Sequence, residues 1–230
     1  MNVTSKDQKD FYDEEFKTLA SPAMEESIRG FYFEEIVSIL GDRFRPGGRV
    51  LEVGCGNGML MKKMWERYPE SSFEGFDISE KNVEMARKLG LDVSVGDADN
   101  MSLEGGYDLV YGSAVLHHLQ DIGSFFEQVA SMLNDGGVML FGPEPVSYQF
   151  IYIIWHKLRR IWEIEKGMMN ITEKKMRLLL AGSFENVRIS RHGNAFVYSV
   201  RPVGRTWNAL RLSKLPSLND IYIYAEKRAR

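Results

Sequence analysis

One cysteine among 230 residues, Cys55, leaves no partner for an internal disulfide and no multi-cysteine zinc site. Positive charge is not in excess: 29 Lys and Arg stand against 32 Asp and Glu, for a net charge of −3. A dedicated nucleic-acid binder usually has an isoelectric point above about 9. The value here is about 5.9, so nucleic acid is an unlikely partner. No run approaches the roughly 18 consecutive apolar residues of a membrane span. The opening MNVTSKDQKDFYDEEF is acidic where a signal peptide would be apolar, which points to the cytoplasm. Internal repeats and low-complexity tracts are also lacking. Hydrophobic residues make up 44%, enough to bury a sizeable core, and one elaborated domain over 1–230 is the expected organisation.

The first 44 residues read as a helical cap. Phe31, Ile36, Val37, Ile39 and Leu40 lean toward one face, and Gly41 supplies a stop. From 45 to 145 short strands alternate with helices. Strands are expected at Arg49–Val53, Ser72–Asp77, Leu91–Val95, Tyr107–Tyr111 and Val138–Phe141. Helices fall at Met59–Arg67, from Ser79 as N-cap to Leu89, and around Ser124–Leu133, with a turn at Asp135-Gly136-Gly137. This rhythm predicts an α/β fold, a doubly wound parallel sheet covered on both faces. Beyond 146 lie a long aromatic helix over Ser147–Glu165, a helix at Thr172–Ala181 and strands at Phe184–Ser190 and Ile221–Glu226. The roughly 30 residues between those last strands are too many for an ordinary loop.

The informative stretch is LEVGCGNGML, residues 51–60, at a strand-to-helix turn. Gly54, Gly56 and Gly58 permit tight backbone geometry and close approach of a ligand to the main chain. A dinucleotide fingerprint would need glycine where Met59 stands, and a phosphate-cradling loop would need the absent G-K-S/T. Asp77, 21 residues after Gly56, ends the second strand and can accept from both hydroxyls of a ribose. Asp97 follows the third strand in VGDAD. Glu52, with no Lys or Arg between Leu51 and Met61, would repel a pyrophosphate and attract a cofactor carrying an ammonium and a sulfonium.

Here the sequence resembles the class I S-adenosylmethionine-dependent methyltransferases of small-molecule type. LEVGCGNG, FDIS, GDAD, YDLVYGSAVLHHL and GGVMLFGPEP match in order over about residues 48–145. The resemblance implies a Rossmann-like seven-stranded sheet of order 3-2-1-4-5-7-6 with strand 7, around Ile221–Glu226, antiparallel. It makes 45–145 the core that binds S-adenosylmethionine and 146–230 the acceptor-covering segments and closing strands. Gly54 and Gly56 would line the methionine portion, Asp77 with the adjoining Ile78 would hold the ribose, and Asp97 and Ala98 would sit at the adenine. Ser113 would lie near the cofactor, and Glu52 would act from behind it. Cys55 and Gly58 belong to the same turn, with Cys55 a small buried filler.

Methyl transfer from a sulfonium is an in-line displacement in which positioning supplies much of the rate. A base matters when the acceptor arrives protonated. His117 and His118 are the candidates by intrinsic pKa, and adjacent side chains usually point different ways, so one of them should face the site. Related enzymes fold an N-terminal helix over the cofactor, which makes Tyr12 a third candidate. Ala114 and His117 stand where some quinone O-methyltransferases carry acids, so no metal is expected.

On the acceptor side, Asn186–Asn219 holds no acid between its ends, and Ser147–Glu165 carries a basic face. These residues suit a small acceptor with a carboxylate or phosphate, gripped by some of Arg159, Arg160, Arg201 and Arg205 with Trp155 or Tyr148 beside it. Methylation would fall on an oxygen or nitrogen. Peripheral contact with an anionic membrane surface is the competing use of the same residues. A noncatalytic cofactor-binding protein is the alternative from another class, and the oligomeric state is not encoded legibly.

Overall fold

The computed structural model describes residues 4–14, 22–146, 153–154, 157, 162–193 and 219–229. Strands with apolar residues at successive positions bury both faces, and here both faces are covered. The strands are β1 (Arg49–Val53), β2 (Ser72–Asp77), β3 (Val93–Val95), β4 (Tyr107–Gly112), β5 (Leu133–Glu144), β6 (Phe184–Gly193) and β7 (Asn219–Lys227). They form one sheet in the order β3-β2-β1-β4-β5-β7-β6. β1 to β5 pair in parallel, whereas β7 runs antiparallel to both β5 and β6. This is the expected order with the expected inversion.

The helices are α1 (Ser5–Glu14), α2 (Pro22–Leu40), α3 (Met59–Arg67), α4 (Glu80–Lys88), α5 (Ile122–Met132), α6 (Trp162–Glu165) and α7 (Glu173–Leu180). On one face Ile36 and Leu40 of α2 and Met61 and Met64 of α3 pack with Val50, Leu109, Tyr111 and Tyr222. On the other, Phe125 and Val129 of α5 and Leu180 of α7 pack with Leu51, Val53, Val110 and Met139. Neighbours along a strand thus serve opposite cores.

Local chemistry explains where boundaries depart from expectation. Ser79 caps α4 as expected, its Oγ accepting from Asn82 N at 3.1 Å. α5 starts earlier than Ser124 because Asp121 caps it, accepting from Gly123 N at 2.9 Å and Ser124 N at 3.2 Å. The Asp135-Gly136-Gly137 turn does not precede β5 but lies within it, where Tyr107 pairs with Leu133 and Leu109 already pairs with Val138. β3 starts at Val93 and leaves Leu91 buried in the core. The expected helix Ser147–Glu165 falls largely outside the described residues, as do Tyr148, Trp155, Arg159, Arg160, Arg201 and Arg205.

Candidate active site

The chain leaves β1 through Gly54, Gly56 and Gly58, all in the left-handed region at φ 66°, 54° and 81°. Two of them do different jobs. A Cβ on Gly58, the N-cap of α3, would lie 2.6 Å from Leu91 Cδ1 and 2.8 Å from Ala86 Cβ, so that glycine serves packing. A Cβ on Gly56 would meet nothing nearer than Arg29 Nη2 at 3.9 Å, so that glycine faces open space.

That space is a cavity at the carboxyl ends of the parallel strands, where open α/β sheets bind ligands. Gly54, Gly56, Asp77, Ile78, Asp97, Ala98 and Ser113 all line it. The Asp77 carboxylate accepts from Gly56 N at 2.8 Å and Ser79 N at 2.9 Å, which ties the end of β2 to the glycine turn. Burial raises its pKa above the ordinary value, and those two amides work against the rise.

Glu52 is not part of the lining. It lies 1% exposed beneath the site and accepts from the Tyr111 hydroxyl at 2.9 Å. Burial pushes its carboxyl up to about 8, so near neutrality it is largely uncharged. The expectation that Glu52 selects a cationic ligand by its charge is therefore corrected. Cys55 and Gly58 are likewise absent from the lining, and burial raises the Cys55 thiol well above its usual value. Because folded Glu52 binds its proton more tightly than unfolded Glu52, stability is full below about 4.5 and declines as pH rises through about 8. Thermal unfolding from pH 5 to 9 is expected to fall more steeply for the native protein than for Glu52→Gln. Parallel curves would mean that Glu52 ionises at an ordinary pH.

α1 roofs the cavity. Gln8 Nε2 donates to the His118 carbonyl at 2.5 Å, and the Tyr12 hydroxyl lies 2.8 Å from His118 Nε2. Asp13 Oδ1 accepts from Ser79 Oγ at 2.6 Å, fastening α1 to the start of α4. Burial, then the charges of Glu165 and Asp77, hold the Tyr12 phenol protonated far above its usual range. His118 and Tyr12 line the cavity, and His117 does not. His117 is 4% exposed, with Nδ1 2.8 Å from Glu144 Oε2 and Nε2 3.2 Å from Glu165 Oε2.

Sequence reasoning missed Arg29. It lies on α2, carries no motif, and is the only Lys or Arg in the lining among the described residues. Its Nη1 donates to Ser113 Oγ at 3.2 Å.

The family described as "Methyltransferase domain" matches residues 24–148, more than half of the chain. The chain belongs to that family. The match takes in Arg29 and all but the first two residues of α2 but stops short of α1, so the roof of this methyltransferase-family cavity lies outside the shared region. A malonyl-[acyl-carrier protein] O-methyltransferase 1 of Ilyobacter polytropus is 31% identical over 173 residues, 67% of this chain and 62% of that protein. A trans-aconitate 2-methyltransferase of Mycobacterium ulcerans is 33% identical over 108 residues, 47% of this chain and 40% of that one. The chain thus spans less than two thirds of either relative. Among solved structures, the plantazolicin methyltransferase BamL, in complex with a triazolic desmethylPZN analog and SAH, superposes with a TM-score of 0.65 at 16% identity, covering 99% of this chain and 92% of that one. This shows a shared fold. No helix among the described residues is long and apolar enough to cross a membrane.

Proposed function

We propose that this protein binds S-adenosylmethionine and transfers its methyl group in line to an oxygen or nitrogen of a small acceptor bearing a carboxylate or phosphate. The observation that carries the reading is one cavity at the strand ends where an acid (Asp77), a cation (Arg29) and a histidine–tyrosine pair (His118, Tyr12) converge. When bound, S-adenosylmethionine supplies a methyl group already activated on a sulfonium. Asp77 has the acceptor capacity for two ribose hydroxyls, and Gly56 leaves room for a ligand against the main chain. Arg29, beside Gly56, has a planar fork suited to the amino-acid carboxylate. Asp97 and Ala98 are left for the adenine. Where the acceptor arrives protonated, the Tyr12 oxygen takes its proton as the phenol's own proton passes to His118 Nε2, 2.8 Å away.

Two curated relatives are named for malonyl and trans-aconitate substrates, both carboxylates, which supports an anionic acceptor. Arg159, Arg160, Arg201 and Arg205 are the cations available to it by sequence.

Calorimetry with S-adenosylhomocysteine, with NADH as the control, tests the cofactor assignment. Methyl transfer to a panel of carboxylates and phosphates tests the acceptor. Binding of NADH alone would refute the reading, and cofactor binding without turnover on any acceptor would favour a noncatalytic binding protein. Arg29→Gln is expected to weaken S-adenosylhomocysteine binding by about 10- to 150-fold, the equivalent of one charged hydrogen-bonding contact at about 1.5–3 kcal/mol. If instead the acceptor KM rises while cofactor affinity holds, Arg29 grips the acceptor.

A further inference from the structure

We propose that His117 is a fixed imidazolium clasp: it joins Glu144 at the end of β5 to Glu165 at the end of α6, and so holds the 162–170 segment against the turn that presents His118. It is a positioning residue, and that role rests on the methyl-transfer reading. The charge state does not. Glu144 is fully buried, and both of its oxygens are committed. Oε1 accepts from Val115 N at 2.7 Å and Leu116 N at 2.9 Å, and Oε2 meets His117 Nδ1. Glu165 Oε2 meets the other ring nitrogen. A neutral imidazole has one N–H and can donate to one carboxylate, whereas two ionised carboxylates on its two nitrogens require a proton on each nitrogen.

Among the described residues, the groups facing the ring are Glu144 from β5, Glu165 from α6, His118 beside it with ring centroids 3.9 Å apart, and Tyr12 of α1 beyond His118. Burial opposes the charge, but the bonds to Glu144 and Glu165 outweigh it and raise the His117 pKa to about 10. The two segments also touch through their backbones. A Cβ on Gly167 would fall 1.7 Å from the His117 carbonyl oxygen, so the segment after Glu165 packs directly on the turn. A divalent ion is the rival occupant, since ligand atoms of His117, His118 and Glu165 lie within 4.8 Å of one another.

The chain has four histidines, so imidazole signals are few. Nitrogen-15 spectra of the full-length, cofactor-free protein at pH 8 are expected to show a doubly protonated ring that persists in His192→Gln. That variant removes the other histidine that pairs with a carboxylate among the described residues, its partner being Glu35. The same signal should vanish in His117→Gln. In Glu165→Gln, kcat is expected to fall about 10- to 100-fold, as when a partner that orients a functional group is lost. S-adenosylhomocysteine affinity should hold. A His117 ring that titrates near its ordinary pH overturns the clasp. So does a stoichiometric divalent metal in the purified protein, or a Glu165→Gln variant that retains full kcat. Failure of S-adenosylhomocysteine to bind, with the doubly protonated ring present, would sink the methyl-transfer reading and leave the clasp's charge state standing.

Discussion

His118→Ala is expected to lower turnover by about 10²–10⁴-fold, the usual cost of losing a general base, with little change in cofactor affinity. The two effects separate because His118, bonded to Tyr12, belongs to the turn after β4, whereas Asp77 ends β2 and the glycines follow β1. Steady-state kinetics with a protonated acceptor, alongside calorimetry with S-adenosylhomocysteine, measures both. His117→Ala should behave differently. It strands Glu144 and Glu165 without their shared cation, and breaking a buried charge pair costs about 3–5 kcal/mol, so its effect should appear first as a lowered melting temperature. A turnover loss below about tenfold in His118→Ala would mean that the reaction runs on positioning alone, with the proton leaving to water.

Asp77→Ala should weaken S-adenosylhomocysteine binding by about 10²–10⁴-fold. Two charge-assisted hydrogen bonds to the ribose would be lost at about 1.5–3 kcal/mol each. A second contribution comes from the protein itself. The amides of Gly56 and Ser79 lose their acceptor, so the glycine turn is no longer tied to β2. Asp77→Asn keeps an acceptor oxygen and should fall between the native protein and the alanine variant. Unchanged affinity in both variants would place the ribose elsewhere.

The parts of this molecule that were legible in the sequence are those where local pattern and long-range packing agree. β1 and β4 hold short apolar runs at Val50–Leu51 and Leu109–Tyr111, and the glycines that end β1 need left-handed backbone wherever the chain folds this way. What stayed illegible depends on burial or on distant partners. Glu52 reads as a negative charge beside a ligand until its depth is known, and then desolvation makes it nearly neutral. Arg29 stands 25 residues before Gly54, on a helix whose sequence gives no sign that it reaches Ser113. Glu165 meets His117 across 48 residues, and no spacing rule links them. Even the start of α5 turned on one side chain, Asp121, which holds two amides.

The α1 roof has a kinetic consequence. Gln8 and Tyr12 bond to His118, Asp13 to the cap of α4, and Lys9 pairs with Glu80 at 2.5 Å. Where a ligand's way out runs beneath α1, those contacts must part before it leaves and re-form before the next cycle. The helix that completes the base's surroundings then also governs exchange with solvent. A tighter roof would improve the alignment of each single turnover while lengthening the wait between turnovers, and the best overall rate lies where the two balance.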